Sequence, residues 1–175
     1  KGVVSDIGGP TANMYHMKCT KPEVEAKCRR QSCVHPKICK LLGVDHRPVI
    51  ELMREAREIP GIKKVLVASG IRMDLARKAP DYLEELSRHH VGGLLKVAPE
   101  AISDRVLDLM KKPSRDAFVE FAQQFKAAAR RAGKEHHIAR LRREMLAAVD
   151  QQGGAGDRGR FDEEAHRAGH VLGRG

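Results

Sequence analysis

The chain has 175 residues, 41% hydrophobic and 3% aromatic, and a net charge of +10. That length suits one ordinary domain; the sequence begins with Lys1 and shows no apolar run able to span a bilayer and no charged-then-apolar leader, so it is expected to be soluble, cytoplasmic and a fragment. The charge excess lies in residues 1–133, 25 Lys/Arg against 16 Asp/Glu, interleaved on helix faces; with two Tyr, four Phe and no Trp, a nucleic-acid partner is compatible with the charge but has no stacking platform to support it.

In chain order, Val3 to Ile7 predicts a short buried strand that stops on Gly8-Gly9-Pro10. A cysteine-bearing insertion follows, then a helix from Pro48 to Ile59, with Pro48 in its first turn, an apolar stripe of Val49, Ile50, Leu52, Met53 and Ala56, and a stop at Pro60-Gly61. Val65 to Ala68 predicts a second strand, and Asp74 to His89 a helical stretch broken near Pro80. Leu94 to Ala98 predicts a third strand. Ser103 is placed to cap a helix through Met110, and Ser114 another whose Phe118, Phe121, Ala122, Phe125 and Ala129 share one face until Gly133. This alternation argues for an α/β fold with a parallel sheet and helices packed outside. From His136 onward one amphipathic helix, "IARLRREMLAAV", precedes a Gly- and Arg-rich tail expected to be disordered.

Parallel α/β proteins bind ligands beyond the carboxyl ends of their strands. Three tips stand there, "DIGGPTANMY", "ASGIRMD" and "KVAPE", each joining a Gly or Pro to polar groups. Gly8 and Gly9 expose backbone, Ser69 and Arg72 offer a hydroxyl and a fork of donors, and Lys96 and Glu100 carry opposite charges. Together they could grip a zwitterionic or ribose-bearing small molecule. Any one tip alone reads better as turn punctuation and solvated rim; three on successive strands favour a site.

Cys19, Cys28, Cys33 and Cys39, spaced C-x8-C-x4-C-x5-C, are the only cysteines, with His16 and His35 among them. Thiols so clustered in a chain without a secretory leader suggest one zinc ion or an iron–sulfur cluster. Two disulfides or incidental free thiols are the alternatives, and no CxxC pair occurs. His89-His90 reads as a pair capping a helix C-terminus, and His136-His137 carries less.

The segments "SDIGGPTANMY", "CRRQSCVHPKICKLLGVDH", "IPGIKKVLVASGIRMDLA" and "HHVGGLLKVAPEAISDRVLDLMKKP" resemble successive parts of the YgiQ family of the radical S-adenosylmethionine superfamily, from Lys1 to about Glu135. The resemblance implies a partial (β/α)6 barrel of the TIM type over residues 1–135, truncated at both ends, with a cysteine-rich insertion at 16–46 and a divergent tail at 136–175. It also implies that Gly8, Gly9 and Pro10 meet the methionine moiety of S-adenosylmethionine, and that Ser69, Arg72, Lys96 and Glu100 line the same cavity. Family members cleave S-adenosylmethionine reductively at a [4Fe–4S] cluster, drawing on an electron donor, to give a 5′-deoxyadenosyl radical that attacks a substrate; here that substrate is unknown.

Three departures from the family pattern bear on that expectation. The family's CxxxCxxC cluster motif is absent from this sequence; since "GVVSDIGGP" resembles the second barrel strand, the motif is expected upstream of Lys1, and the four cysteines match the family's separate cysteine-rich insertion, expected to be a second metal site and not the ligands of that cluster. Ala101 replaces the usual histidine and Met73 the usual tyrosine. Beyond "AGKE" the likeness ends, as a frameshift in a GC-rich gene would produce. The alternative from another class is a zinc-binding module associated with RNA.

Overall fold

The computed structural model describes residues 2–9, 11–97, 101, 103–135 and 137–138, and among these the fold is α/β. It opens with β1 (Gly2–Val4), a 3-10 turn at Ala12–Met14 and α1 (Pro22–Glu25) inside the insertion. Next come α2 (Arg47–Glu58) and β2 (Ile62–Val65), which pairs in parallel with β1, Val3 opposite Lys64 and Val4 opposite Val65. Parallel neighbours need a crossover connection, and α2 with the insertion supplies it.

Pairing continues past the strand ends. Leu66 N donates to Val4 O at 2.9 Å and Ile7 N to Leu66 O at 2.7 Å, so the loops after β1 and β2 leave the sheet side by side. β2 begins at Ile62, before the predicted Val65, because Lys63 and Lys64 face solvent and hide the strand from an apolar-run search.

The helical stretch after β2 divides as Pro80 dictates: α3 (Met73–Ala76), then α4 (Pro80–Glu85) with the proline in its first turn. A π-helical segment, Leu86–His90, continues α4 and delivers His90 O to Val67 N at 2.9 Å. β3 (Leu94–Leu95) is shorter than the predicted run, whose Ala98 lies outside the described residues. α5 (Asp104–Leu109) has Ser103 at its N-cap position without a side-chain cap bond. α6 (Arg115–Arg131) is capped as expected, Ser114 Oγ accepting from Ala117 N at 3.3 Å, and ends before Gly133 at φ +65°. β4 (His137–Ile138) then pairs in parallel with β3, where a helix and a tail had been predicted; of that tail, residues 139–175 lie outside the described residues.

Phe118, Phe121 and Phe125 of α6 pack with Tyr82, Leu83 and Leu86 in the core, together with Met53 of α2 and Leu95 of β3. α3 and α4 rest on α6, and α2 covers β2. Glu85, only 6% exposed, accepts from Arg54 Nε (2.8 Å) and an Arg57 terminal nitrogen (2.9 Å), with His90 Nε2 at 3.2 Å. This polar cluster ties α2 to the end of α4. Burial would raise the Glu85 pKa, but bonds from Arg54 and His90 and the charges of both arginines hold it below its usual value. No helix among the described residues is long and apolar enough to cross a membrane.

Candidate functional site

The carboxyl ends of β1 and β2 are joined by one aspartate. Asp6 Oδ1 accepts from the amides of Ala68 (2.7 Å) and Ser69 (2.9 Å), and Oδ2 accepts from the Ser69 hydroxyl. Gly8 lies against this junction: a Cβ there would stand 2.7 Å from Ser69 Cβ, so only glycine fits. Gly9 differs. A Cβ on it would meet nothing within 4 Å, leaving its backbone beside open space.

Partial burial alone would raise the Asp6 pKa, but the Ser69 hydroxyl, the Ser69 and Ala68 amides and the charge of Lys96 hold it below the ordinary value of 3.8. Lys96, exposed just after β3, therefore brings positive charge to the same edge.

Behind this edge sits Asn13, 0% exposed in the 3-10 turn. Its Oδ1 accepts from Arg72 N at 2.7 Å and its Nδ2 donates to Arg72 O at 2.9 Å, clamping the loop after β1 to the loop after β2. Nδ2 also lies 3.4 Å from His46 Nε2, and the His46 ring packs on Tyr82 with centroids 4.9 Å apart. Burial pushes the His46 pKa down to about 4, which keeps the ring neutral at neutral pH.

The Arg72 guanidinium is engaged elsewhere. Its Nε is 2.9 Å from Asp74 Oδ1, and a terminal nitrogen donates to Val34 O in the insertion at 3.2 Å. Of the predicted site residues, Gly8, Gly9 and Ser69 thus stand together with Lys96 in electrostatic range, Arg72 contributes backbone to the clamp and side chain to the insertion, and Pro10 and Glu100 lie outside the described residues. Asp6 and Asn13 were missed. Their signal was present, two small polar side chains flanking a double glycine at a strand end, where such groups hydrogen-bond backbone.

All four cysteines are free thiols, Cys28 exposed and the others half-buried. Burial raises the Cys33 pKa, and the charges of Cys39, Cys28 and Cys19 raise it further, so all three lie within electrostatic reach of Cys33. Among the described residues, no three His, Cys, Asp or Glu side chains already stand close enough to share an ion. His35 turns away, its Nε2 3.4 Å from Asp108 Oδ1, and His16 stacks on Tyr15 at 4.3 Å. Of the histidine pair, His89 is exposed, while His90 is fully buried with Nδ1 2.8 Å from Val65 O, joining a strand carbonyl rather than its own helix end.

No family profile matches the chain, and no solved structure matches it. Curated relatives do. The chain is 55% identical over 137 residues to a UPF0313 protein of Bradyrhizobium diazoefficiens, covering 78% of this chain and 20% of the relative. It is 52% identical to a UPF0313 protein of Pseudomonas aeruginosa and 51% to one of Vibrio parahaemolyticus, in each case over 78% of this chain and 18% of the relative. The chain spans about a fifth of the length of these relatives. At that identity over 137 residues, the chain belongs to the UPF0313 family, the YgiQ group.

Proposed function

We propose that the ends of β1, β2 and β3 form one wall of an S-adenosylmethionine site in a radical S-adenosylmethionine enzyme, on strands belonging to a partial (β/α)6 barrel. The observation that carries this reading is the junction of Asp6, Gly8 and Ser69 with Gly9 facing open space beside it. Backbone at a double glycine offers carbonyls to an ammonium and amides to a carboxylate, the two charged groups of a methionine moiety, with no side chain in the way. Lys96 adds a cation for the carboxylate or ribose side. Arg72 acts by positioning, since its guanidinium is held by Asp74 and Val34 O.

The residues present fit this ligand only in part, and they do not fit the cluster. CxxxCxxC does not occur in the sequence, and the spacing C-x8-C-x4-C-x5-C belongs to the insertion, so this chain does not supply the ligands of a radical S-adenosylmethionine [4Fe–4S] cluster. S-adenosylmethionine held here would bring its adenosyl group to a cluster whose ligands this chain does not supply; the role of these residues would be to hold its aminocarboxylate.

Calorimetric titration of the 175-residue chain with S-adenosylmethionine tests the reading. Saturable binding, weakened about tenfold or more by Gly9→Val at unchanged melting temperature, is the expected result. Equal binding by Gly9→Val, or none by the parent chain, overturns it.

A further inference from the structure

Residues 16–41 contain no buried side chain, and residues 20–31 are exposed throughout. A segment of that length without a core does not hold a shape by hydrophobic burial, and small coreless segments are held by a metal ion or by disulfides. Yet this one is ordered by backbone bonds that gather its cysteines.

Cys19 forms an antiparallel bridge with Leu42, flanked by Thr20 N to Leu41 O at 2.7 Å and Gly43 N to Lys18 O at 2.9 Å. Leu42 N in turn donates to Cys39 O at 3.0 Å, and Cys39 N to Cys33 O at 2.7 Å. Cys19, Cys33 and Cys39 are thereby linked through one run of main-chain bonds. Cys28 ends the turn after α1, its amide donating to Glu25 O at 3.1 Å. Between Cys28 and Cys39 the Arg30 guanidinium gathers the carbonyls of Ser32, His35 and Lys37, winding that loop around a cation.

From this arrangement we propose that Cys19, Cys28, Cys33 and Cys39 bind one zinc ion as a tetrathiolate, a structural centre separate from the strand-end site. Four sulfur ligands and no further cysteine match a closed tetrahedral zinc site, in which no position is left for substrate. His16 and His35 are not needed, since their rings are engaged by Tyr15 and Asp108. A zinc ion with four thiolates carries a net charge of about −2, counted from +2 and four ligands of −1. Residues 16–44 hold five Lys and two Arg against two Glu, which offsets that charge. Binding releases the four thiol protons to solvent, so the affinity should fall as pH is lowered.

The test is cobalt titration of the reduced full chain, followed by zinc displacement. Saturation at one cobalt per chain, with thiolate charge-transfer and tetrahedral d–d absorption that zinc abolishes, is the expected result. Cys28→Ser and Cys33→Ser should each lower the charge-transfer intensity by about a quarter, one thiolate of four. A pale octahedral spectrum, no saturable binding, iron with sulfide at these cysteines, or two disulfides in the isolated chain would each overturn the proposal. The spectrum reads the four sulfurs alone. Failure of S-adenosylmethionine binding would leave it untouched.

Discussion

Asn13 and Arg72 exchange two hydrogen bonds between the loops that follow β1 and β2, Arg72 N to Asn13 Oδ1 at 2.7 Å and Asn13 Nδ2 to Arg72 O at 2.9 Å. A carboxamide facing a backbone amide and carbonyl satisfies donor and acceptor together, which no other side chain of that length does. Asn13→Ala should cost about 2 to 3 kcal/mol in urea unfolding, because two bonds are lost and the Arg72 backbone groups are left without them. Asn13→Asp should cost more, since it sets an anion against the Arg72 carbonyl in a site with no exposure. An Asn13→Ala chain as stable as the parent would show that the clamp does not hold the two loops.

The two glycines at the tip of β1 should respond oppositely. Gly8→Ala forces a Cβ to within 2.7 Å of Ser69 Cβ and onto the Asp6 bond, so it should destabilise by about 1 to 3 kcal/mol. Gly9→Ala should leave the melting temperature where it was, because nothing lies within 4 Å of the added methyl. Similar losses at both positions would mean that the doublet serves the turn and not a contact.

Much of this fold was written in local pattern, and the exceptions have physical causes. Pro48, Pro80, Ser114 and Gly133 mark helix ends through φ restriction, a cap or a left-handed turn, and each acts where local sequence placed it. β2 was misplaced by three residues because its exposed edge carries Lys63 and Lys64. β4 was missed because two residues carry no periodicity; their pairing partner lies at Leu94 and Leu95. At the candidate site, glycine and proline signalled a strand end, but the direction of Arg72 toward Val34 O depends on where the insertion folds back. Burial of Glu85 and His90 was equally illegible, since each is paid for by partners distant in sequence.

Glu85 should be the most sensitive charged residue of the core. Glu85→Ala leaves the half-buried Arg57 and buried His90 facing an apolar gap and should cost about 3 kcal/mol in chemical denaturation. Arg54→Ala should cost under about 1 kcal/mol, because that side chain is 57% exposed and Glu85 keeps Arg57. Equal costs would assign the stability to the α2 surface and not to the buried carboxylate.

His46 makes stability depend on mildly acidic pH. Its pKa falls from 6.5 to about 4 because burial disfavours the imidazolium, with Asp45 opposing weakly. Between those values the unfolded chain holds a proton on His46 that the folded chain does not, so stability declines as pH falls from 6.5 toward 4 and levels off below, where both states are protonated. The full shift is worth about 3 kcal/mol at most. His89 and His90 are also depressed by burial and act in the same direction, so the comparison must be of slopes between variants. His46→Gln keeps an acceptor for Asn13 Nδ2 without titrating, and its unfolding free energy should vary less between pH 6.5 and 4 than that of the parent. Identical slopes would place the neutral ring outside the packed state, and with it the support that His46 gives to Asn13 and the clamp on Arg72.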